Sequence, residues 1–234
     1  MVGKRFSVGE GAFIVLAALA SAPCAAEGSV AHLSGSLSVQ RPDGTVRIMS
    51  RNSHVSAGDV LTTEQDSYAQ INFTDGSSLT MRPNTTVRIE AYNFAKDQPQ
   101  EDNLFLRLLK GGMRTVTGLI GRRGNQDAYK IGTQQATIGI RGSSGDTLEC
   151  SESCAGVTPT SAKLPPGVYH ATHTGAYILQ NEAGSLLVSP GQVGYVKDAN
   201  TAPAMLPKDP GLGLSQLPFA LGVPGGPSNE CVVR

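Results

Sequence analysis

Short runs of alternating apolar and polar residues dominate the chain. They are separated by polar turns that end in glycine, and three such units recur. Leu37 to Val39 leads through Arg41-Pro-Asp43-Gly44 into Thr45 to Ile48. Ala69 to Phe73 leads through Thr74-Asp75-Gly76-Ser77 into Ser78 to Met81. Tyr177 to Leu179 leads through Asn181 to Ser185 into Leu186 to Val188. A period of two predicts strands, and Asp-Gly between two such runs predicts a hairpin, because glycine accepts the positive φ those turns require. Glycine-led starts at Gly58, Gly167 and Gly191 predict further strands.

Between the second and third hairpins lies an apolar block. Asn103 to Lys110 has the length of one short helix or one buried strand, ended by Gly111-Gly112. Met113 to Ile120 reads as strand, Gly121 to Asp127 as a polar turn, and Ala128 to Ile140 as the strand that returns. Ile131 to Ser143 carries Gly132, Gly139 and Gly142 with Arg141 between the last two. So many glycines in an apolar run predict close backbone approaches, hence a structural clasp. On that expectation valine at Gly139 or Gly142 impairs folding. The fold class expected is all-β, with repeated hairpins in a β-solenoid-like or β-sandwich-like domain over residues 27–197. Residues 198–234 repeat proline and glycine without period and predict an irregular tail, laid on the domain through Leu212, Leu214, Leu217 and Phe219.

Composition agrees with a turn-rich β protein: 28 glycines, six tyrosines, six phenylalanines and no tryptophan. Residues 1–26 read as a secretory signal peptide, with Lys4 and Arg5, an apolar run from Gly11 to Ala20, and Cys24-Ala25-Ala26 before the cleavage point. Ten apolar residues are too few to span a membrane, and no later segment reaches spanning length. A periplasmic or secreted location is therefore expected. Oxidising surroundings favour cysteine pairing, and Cys150 with Cys154 is the expected disulfide; either could pair with Cys231 instead.

Several ordered blocks resemble the FecR-type domain family. They are Phe73-Thr-Asp75-Gly76-Ser77, Met81-Arg82-Pro83-Asn84-Thr85, Leu108 to Arg114, Thr117 to Gly121, and Ala136 to Gly142, within a similarity running from about Val30 to Val196. The resemblance implies an exported β-domain. In the iron-uptake sensors of that family the domain relays the state of an outer-membrane receptor to a sigma regulator. A cleaved signal, with no sigma-binding segment in sight, aligns this chain with the stand-alone exported members. Ser143 stands where threonine is expected.

The chemistry of catalysis is not assembled in the sequence. No serine sits in a Gly-x-Ser-x-Gly elbow, and no Gly-Lys-Ser/Thr follows the glycines near Arg141. Asp43 and Asp75 sit in turns. His170 and His173, three apart on a strand, face opposite ways and do not share an ion, and the cysteine spacing does not suit zinc. No enzyme activity, cofactor or metal is expected. What points outward is charge. Arg107, Lys110, Arg114, Arg122, Arg123, Lys130 and Arg141 fall in a stretch whose single acid is Asp127. Arg114, Arg122, Arg123 and Lys130 are the expected contacts to an envelope protein, while Asp75, Gly76, Gly139, Arg141 and Gly142 fasten the fold. A cell-wall glycan, peptidoglycan included, is the alternative ligand, met by Tyr68, Tyr92 or Tyr129. Without a stacking platform nucleic acid is not a partner.

Overall fold

The computed structural model describes residues 27–125, 127–150, 156–157 and 164–212. The chain runs through β1 (Gly28–Ser34), β2 (Leu37–Gln40), β3 (Val46–Ile48), β4 (His54–Val55), β5 (Val60–Thr63), β6 (Tyr68–Phe73), β7 (Ser78–Met81) and β8 (Thr86–Asn93). A single 3-10 turn (Pro99–Glu101) precedes β9 (Asn103–Val116), β10 (Tyr129–Gly132), β11 (Thr137–Cys150), β12 (Gly167–Asn181), β13 (Gly184–Val188), β14 (Val193–Val196) and β15 (Ala204–Met205). All fifteen strands join one mixed sheet. Among the named strands β9 and β10 run parallel and every other pair is antiparallel.

The three expected hairpins are present as β2–β3, β6–β7 and β12–β13. The first two share one hydrogen-bond plan. In one, Arg41 N–H donates to the Thr45 carbonyl and Gly44 N–H to the Arg41 carbonyl; in the other, Phe73 donates to Ser77 and Gly76 to Phe73. In each the aspartate accepts from the amide two residues on, Asp43 from Thr45 and Asp75 from Ser77. Gly44 and Gly76 both take φ 84°, which a residue with a Cβ adopts only at a cost.

Two expectations in the central block are corrected. Asn103 to Lys110 is strand, and Gly111-Gly112 does not end it. The strand changes partners there: up to Lys110 it pairs with β8 and β10, and from Gly111 it pairs with β11, and from Met113 also with β7. Gly111 has φ 90°, and a Cβ on it would lie 2.4 Å from Thr85 Oγ1. Likewise Ala128 to Ile140 is a hairpin rather than one strand. Thr133 Oγ1 accepts from the Ala136 amide at 3.0 Å and closes the turn between β10 and β11.

Strand β11 bends in turn, with a register break between Arg141 and Ser144 against β12. Its first half lies on β10 and its second on β9. The bent strands wrap the sheet around a main apolar core that includes Ile71, Leu79, Leu106, Ile131 and Ile138. A second, smaller core gathers Leu148, Cys150, Val157, Tyr169, Ala171, Val193 and Leu212. Leu212 is buried in this second core; Leu214, Leu217 and Phe219 lie outside the described residues. So do residues 1–26 and Cys154.

Candidate functional site

The Asp75-Gly76-Ser77 turn docks onto the loop after β9. Asp75 is buried and accepts from Ser77 N–H at 3.0 Å, Ser77 Oγ at 2.6 Å and Ile120 N–H at 3.1 Å. Its own carbonyl accepts from Leu119 N–H at 2.9 Å. Ser77 Oγ accepts from Gly118 N–H at 2.9 Å. A Cβ at Gly118 would lie 2.2 Å from the Ser77 nitrogen, so the two segments meet backbone to backbone. Asp75 and Ser77 thereby tether the 117–121 loop.

That loop carries the basic turn, and the two neighbouring arginines divide in role. Arg123 is turned inward. Its Nε donates to Asp102 Oδ2 at 3.0 Å, its two terminal nitrogens reach the carbonyls of Lys96 and Ala95, and its guanidinium stacks over Phe94. Arg122 is exposed. Its Cγ would lie 3.5 Å from a Cβ on Gly142, which places it over the bend beside Arg141. Arg141 is exposed on β11, and alternation puts it on the same face as Gly139, whose register partner is Lys130. Arg107 shares this face and is held by Glu90 Oε1 at 2.5 Å. Lys130 and Arg141 thus share one face of the β10–β11 hairpin, with exposed Arg122 over the adjoining bend, whereas Arg123 is withdrawn.

Arg114 is withdrawn as well. It makes a bidentate pair with Asp146, Nε to Oδ1 at 2.7 Å and Nη2 to Oδ2 at 2.8 Å. His173 Nε2 lies 2.9 Å from the same carboxylate, and Arg82 Nη2 lies 3.7 Å away. Burial pushes the Asp146 carboxyl up, yet the hydrogen bonds from Arg114 and His173 and the charges of Arg114 and Arg82 bring it down to about 2. Arg82 is fully buried. It donates through Nη2 to the Leu212 carbonyl, while its Nε and Nη1 have no hydrogen-bond partner among the described residues. On neighbouring strand β12 His170, also fully buried, packs against Tyr177 and shares a hydrogen bond of 2.9 Å between Nδ1 and Thr147 Oγ1, and burial depresses its pKa to about 3. Sequence reasoning passed over this cluster. Arg82 sits in a recognisable block, but nothing in a row of residues says that Asp146, sixty-four positions on, lies beside it.

The central motif is also differently built than its glycines suggest. Above Gly139 the nearest atom to a Cβ would be the Ile178 carbonyl at 4.0 Å, so that position has room. The tight approaches are at Gly145, where a Cβ would meet the Ala171 carbonyl at 2.8 Å, and at Gly175, where it would meet Ser143 Cβ at 2.5 Å. Gly142 does need its glycine, through φ 59°.

Of the tyrosines expected to meet a glycan, Tyr68 and Tyr92 are half-buried and Tyr129 is withdrawn from solvent. Tyr129 is wholly buried; Tyr92 stacks on Phe73 and bonds to Thr74 Oγ1 and the Asp75 amide. An open polar cleft of about 500 Å³ does lie between Thr133 to Thr137 and Gln180 to Glu182. One wall is set by Gln135, whose amide nitrogen, oriented by its neighbours, donates to both Glu149 carboxylate oxygens at 3.1 and 2.7 Å.

The architecture is that of an all-β domain built from bent strands in one open sheet, with its polar chemistry either buried in the fold or spread on a basic face. The family model described as FecR protein matches residues 59–157, and this stretch of the chain is a FecR domain. The chain is similar to two crystal structures of a "putative anti-sigma factor" from Parabacteroides distasonis ATCC 8503, at 2.50 and 1.65 Å resolution. Each has TM-score 0.47 and 14% identity, with 64% of this chain and 60% of that chain covered, so the match spans three fifths of their length. A structure described as "Cell surface anchoring domain" is similar with TM-score 0.26 and 25% identity over 27% of this chain and 83% of its own. No curated protein matches.

Proposed function

We propose that the chain is a non-enzymatic, exported binding or scaffolding module of the bacterial cell envelope that docks an acidic protein on its basic face. The observation that carries this reading is the placing of Lys130 and exposed Arg141 on one face of β10 and β11, with exposed Arg122 at the adjoining bend, next to the loop that the Asp75 turn tethers. A rigid scaffold presenting like charges favours an oppositely charged partner and speeds encounter. Export follows from the signal-like residues 1–26, and a Cys150–Cys154 disulfide belongs to the same reading. The Ala136 to Gly142 block then acts as the platform under the cations, and no sigma-regulating activity is assigned to it.

The test is a crosslinking pulldown from envelope extract, with partners identified by mass spectrometry. Arg122→Glu with Lys130→Glu is expected to reduce recovery of an acidic partner several-fold while leaving the melting temperature unchanged. Undiminished recovery sinks the basic-face reading. The polar cleft beside Gln180 keeps one second reading in play, a glycan ligand. Co-sedimentation with purified peptidoglycan that survives the charge reversal but is lost with Gln180→Ala would favour it.

A further inference from the structure

The segment after β14 closes the second core with little holding it. β15 is two residues long and is the strand that covers the outer edge of β14, through the pairs Gly194–Met205 and Tyr195–Ala204. Leu206 N–H adds one bond to the Val193 carbonyl at 2.8 Å. Between Ala204 and Leu212 only Leu212 is buried. Pro207 and Pro210 supply no donors, and the strap bends at Pro207-Lys208 and again at Gly211, which has φ 94°. At its end Asp209 Oδ1 accepts from the Gly211 and Leu212 amides at 2.9 and 2.8 Å, which aims the Leu212 carbonyl at Arg82.

Arg82 is oversized for that one contact. A fully buried guanidinium with five N–H donors hydrogen-bonds a single neutral carbonyl and lies 3.7 Å from the Asp146 carboxylate, with two of its nitrogens lacking any hydrogen-bond partner among the described residues. Its nearest carboxylate, Asp146, is already claimed bidentately by Arg114. Burying an undersatisfied cation is costly, and a carboxylate in place of the carbonyl would bring a negative charge and a second acceptor oxygen.

We infer that the strap Ala204–Leu212 is an exchangeable occupant of a peptide groove, and that the groove's other occupant is the extended C-terminus of a partner protein, ending in an apolar residue with a free carboxylate. The partner's backbone replaces β15 along the β14 edge, its last side chain enters the Leu212 pocket among Leu148, Tyr169 and Val193, and its carboxylate meets Arg82. This groove is independent of the basic face, so either can fail alone.

The experiment uses the full chain and a labelled peptide of residues 203–212, made once with a free terminal carboxylate and once with a terminal amide. The carboxylate form is expected to bind at least about ten-fold more tightly by fluorescence anisotropy. Asp209→Ala in the chain loosens the strap and also removes a negative charge that acts on Arg82, and is expected to strengthen that binding. Arg82→Met is expected to remove the difference between the two peptides. If Arg82→Met does not fold, the peptide comparison on the Asp209→Ala chain decides. Equal binding of both peptides would mean that an internal segment, such as the strap of a second copy, is the natural occupant, and it overturns the proposal. Absence of binding to the Asp209→Ala chain overturns it too.

Discussion

Asp75 accepts a hydrogen bond from the Ile120 amide at 3.1 Å across forty-five residues of chain, and so ties the β6–β7 turn to the loop that carries the basic residues. The corresponding aspartate of the first hairpin, Asp43, is exposed and bonds only within its own turn. Identical turn chemistry therefore serves two ends. Asp75→Ala would strand the buried Ser77 and Ile120 amides, at roughly 1–3 kcal/mol for each donor left unsatisfied. The expected loss in urea denaturation is about 3 kcal/mol, against about 1 kcal/mol or less for Asp43→Ala. Similar losses at both sites would refute the lock.

Glycine substitutions separate the two segments further. Gly118→Ala sets a Cβ 2.2 Å from the Ser77 backbone nitrogen, where nothing flexible can yield. It is expected to cost more than about 3 kcal/mol or to prevent folding, in line with overpacking against backbone. Gly139→Val, at a strand position with open space, is expected to fall within about 0.5 kcal/mol of the parent, since a β-branched residue suits an extended backbone. Thermal melts of the two variants, run side by side, check the contrast.

The contrast marks where sequence stops being informative. Hairpins were legible because their signal is local: alternation on both sides of Asp-Gly or Asn-x-x-Gly fixes strand, turn and register within about a dozen residues. The FecR blocks were legible as blocks, yet their order along the chain hid that Asp75 to Ser77 packs on Gly118 to Ile120, and Thr85 on Gly111 and Gly112. Long-range choices decide such things. Gly111-Gly112 looks like a stop because glycine breaks strands, and only the change of partners from β8 and β10 to β7 and β11 shows why the strand continues there. A cation's sequence neighbours likewise do not say whether it faces water, as Arg122 and Arg123 demonstrate.

Those two arginines give a direct test of the division between surface and scaffold. Arg123 is held by Asp102, two backbone carbonyls and the Phe94 ring. Losing it leaves the buried Asp102 carboxylate without its cation, so Arg123→Ala is expected to destabilise by about 2 kcal/mol. Arg122→Ala is expected to change stability by less than about 0.5 kcal/mol, as for other exposed side chains. Denaturant midpoints at neutral pH read both. Equal effects would mean that the basic turn is not divided.

The buried histidine makes the fold sensitive to mild acid. His170 titrates at about 3 in the native state against an ordinary 6.5, because burial disfavours the imidazolium. Between those values the unfolded chain takes up a proton that the folded chain refuses. Stability is thus fully present above about pH 6.5 and falls as pH drops toward 3, by up to about 1.4 kcal/mol per pH unit from this one site. Asp146 adds its own loss only lower down, between its ordinary 3.8 and about 2, where protonation would cost the Arg114 pair. Replacing the ring with a neutral side chain that still bonds Thr147, His170→Gln, is expected to flatten the dependence of unfolding free energy on pH between 6 and 4, whatever it costs in absolute stability. The measurement is a set of urea denaturation curves across that range for parent and variant. A parent slope that survives the substitution would show that the acid sensitivity lies in other groups, and that the buried imidazole is protonated far more readily than its surroundings imply.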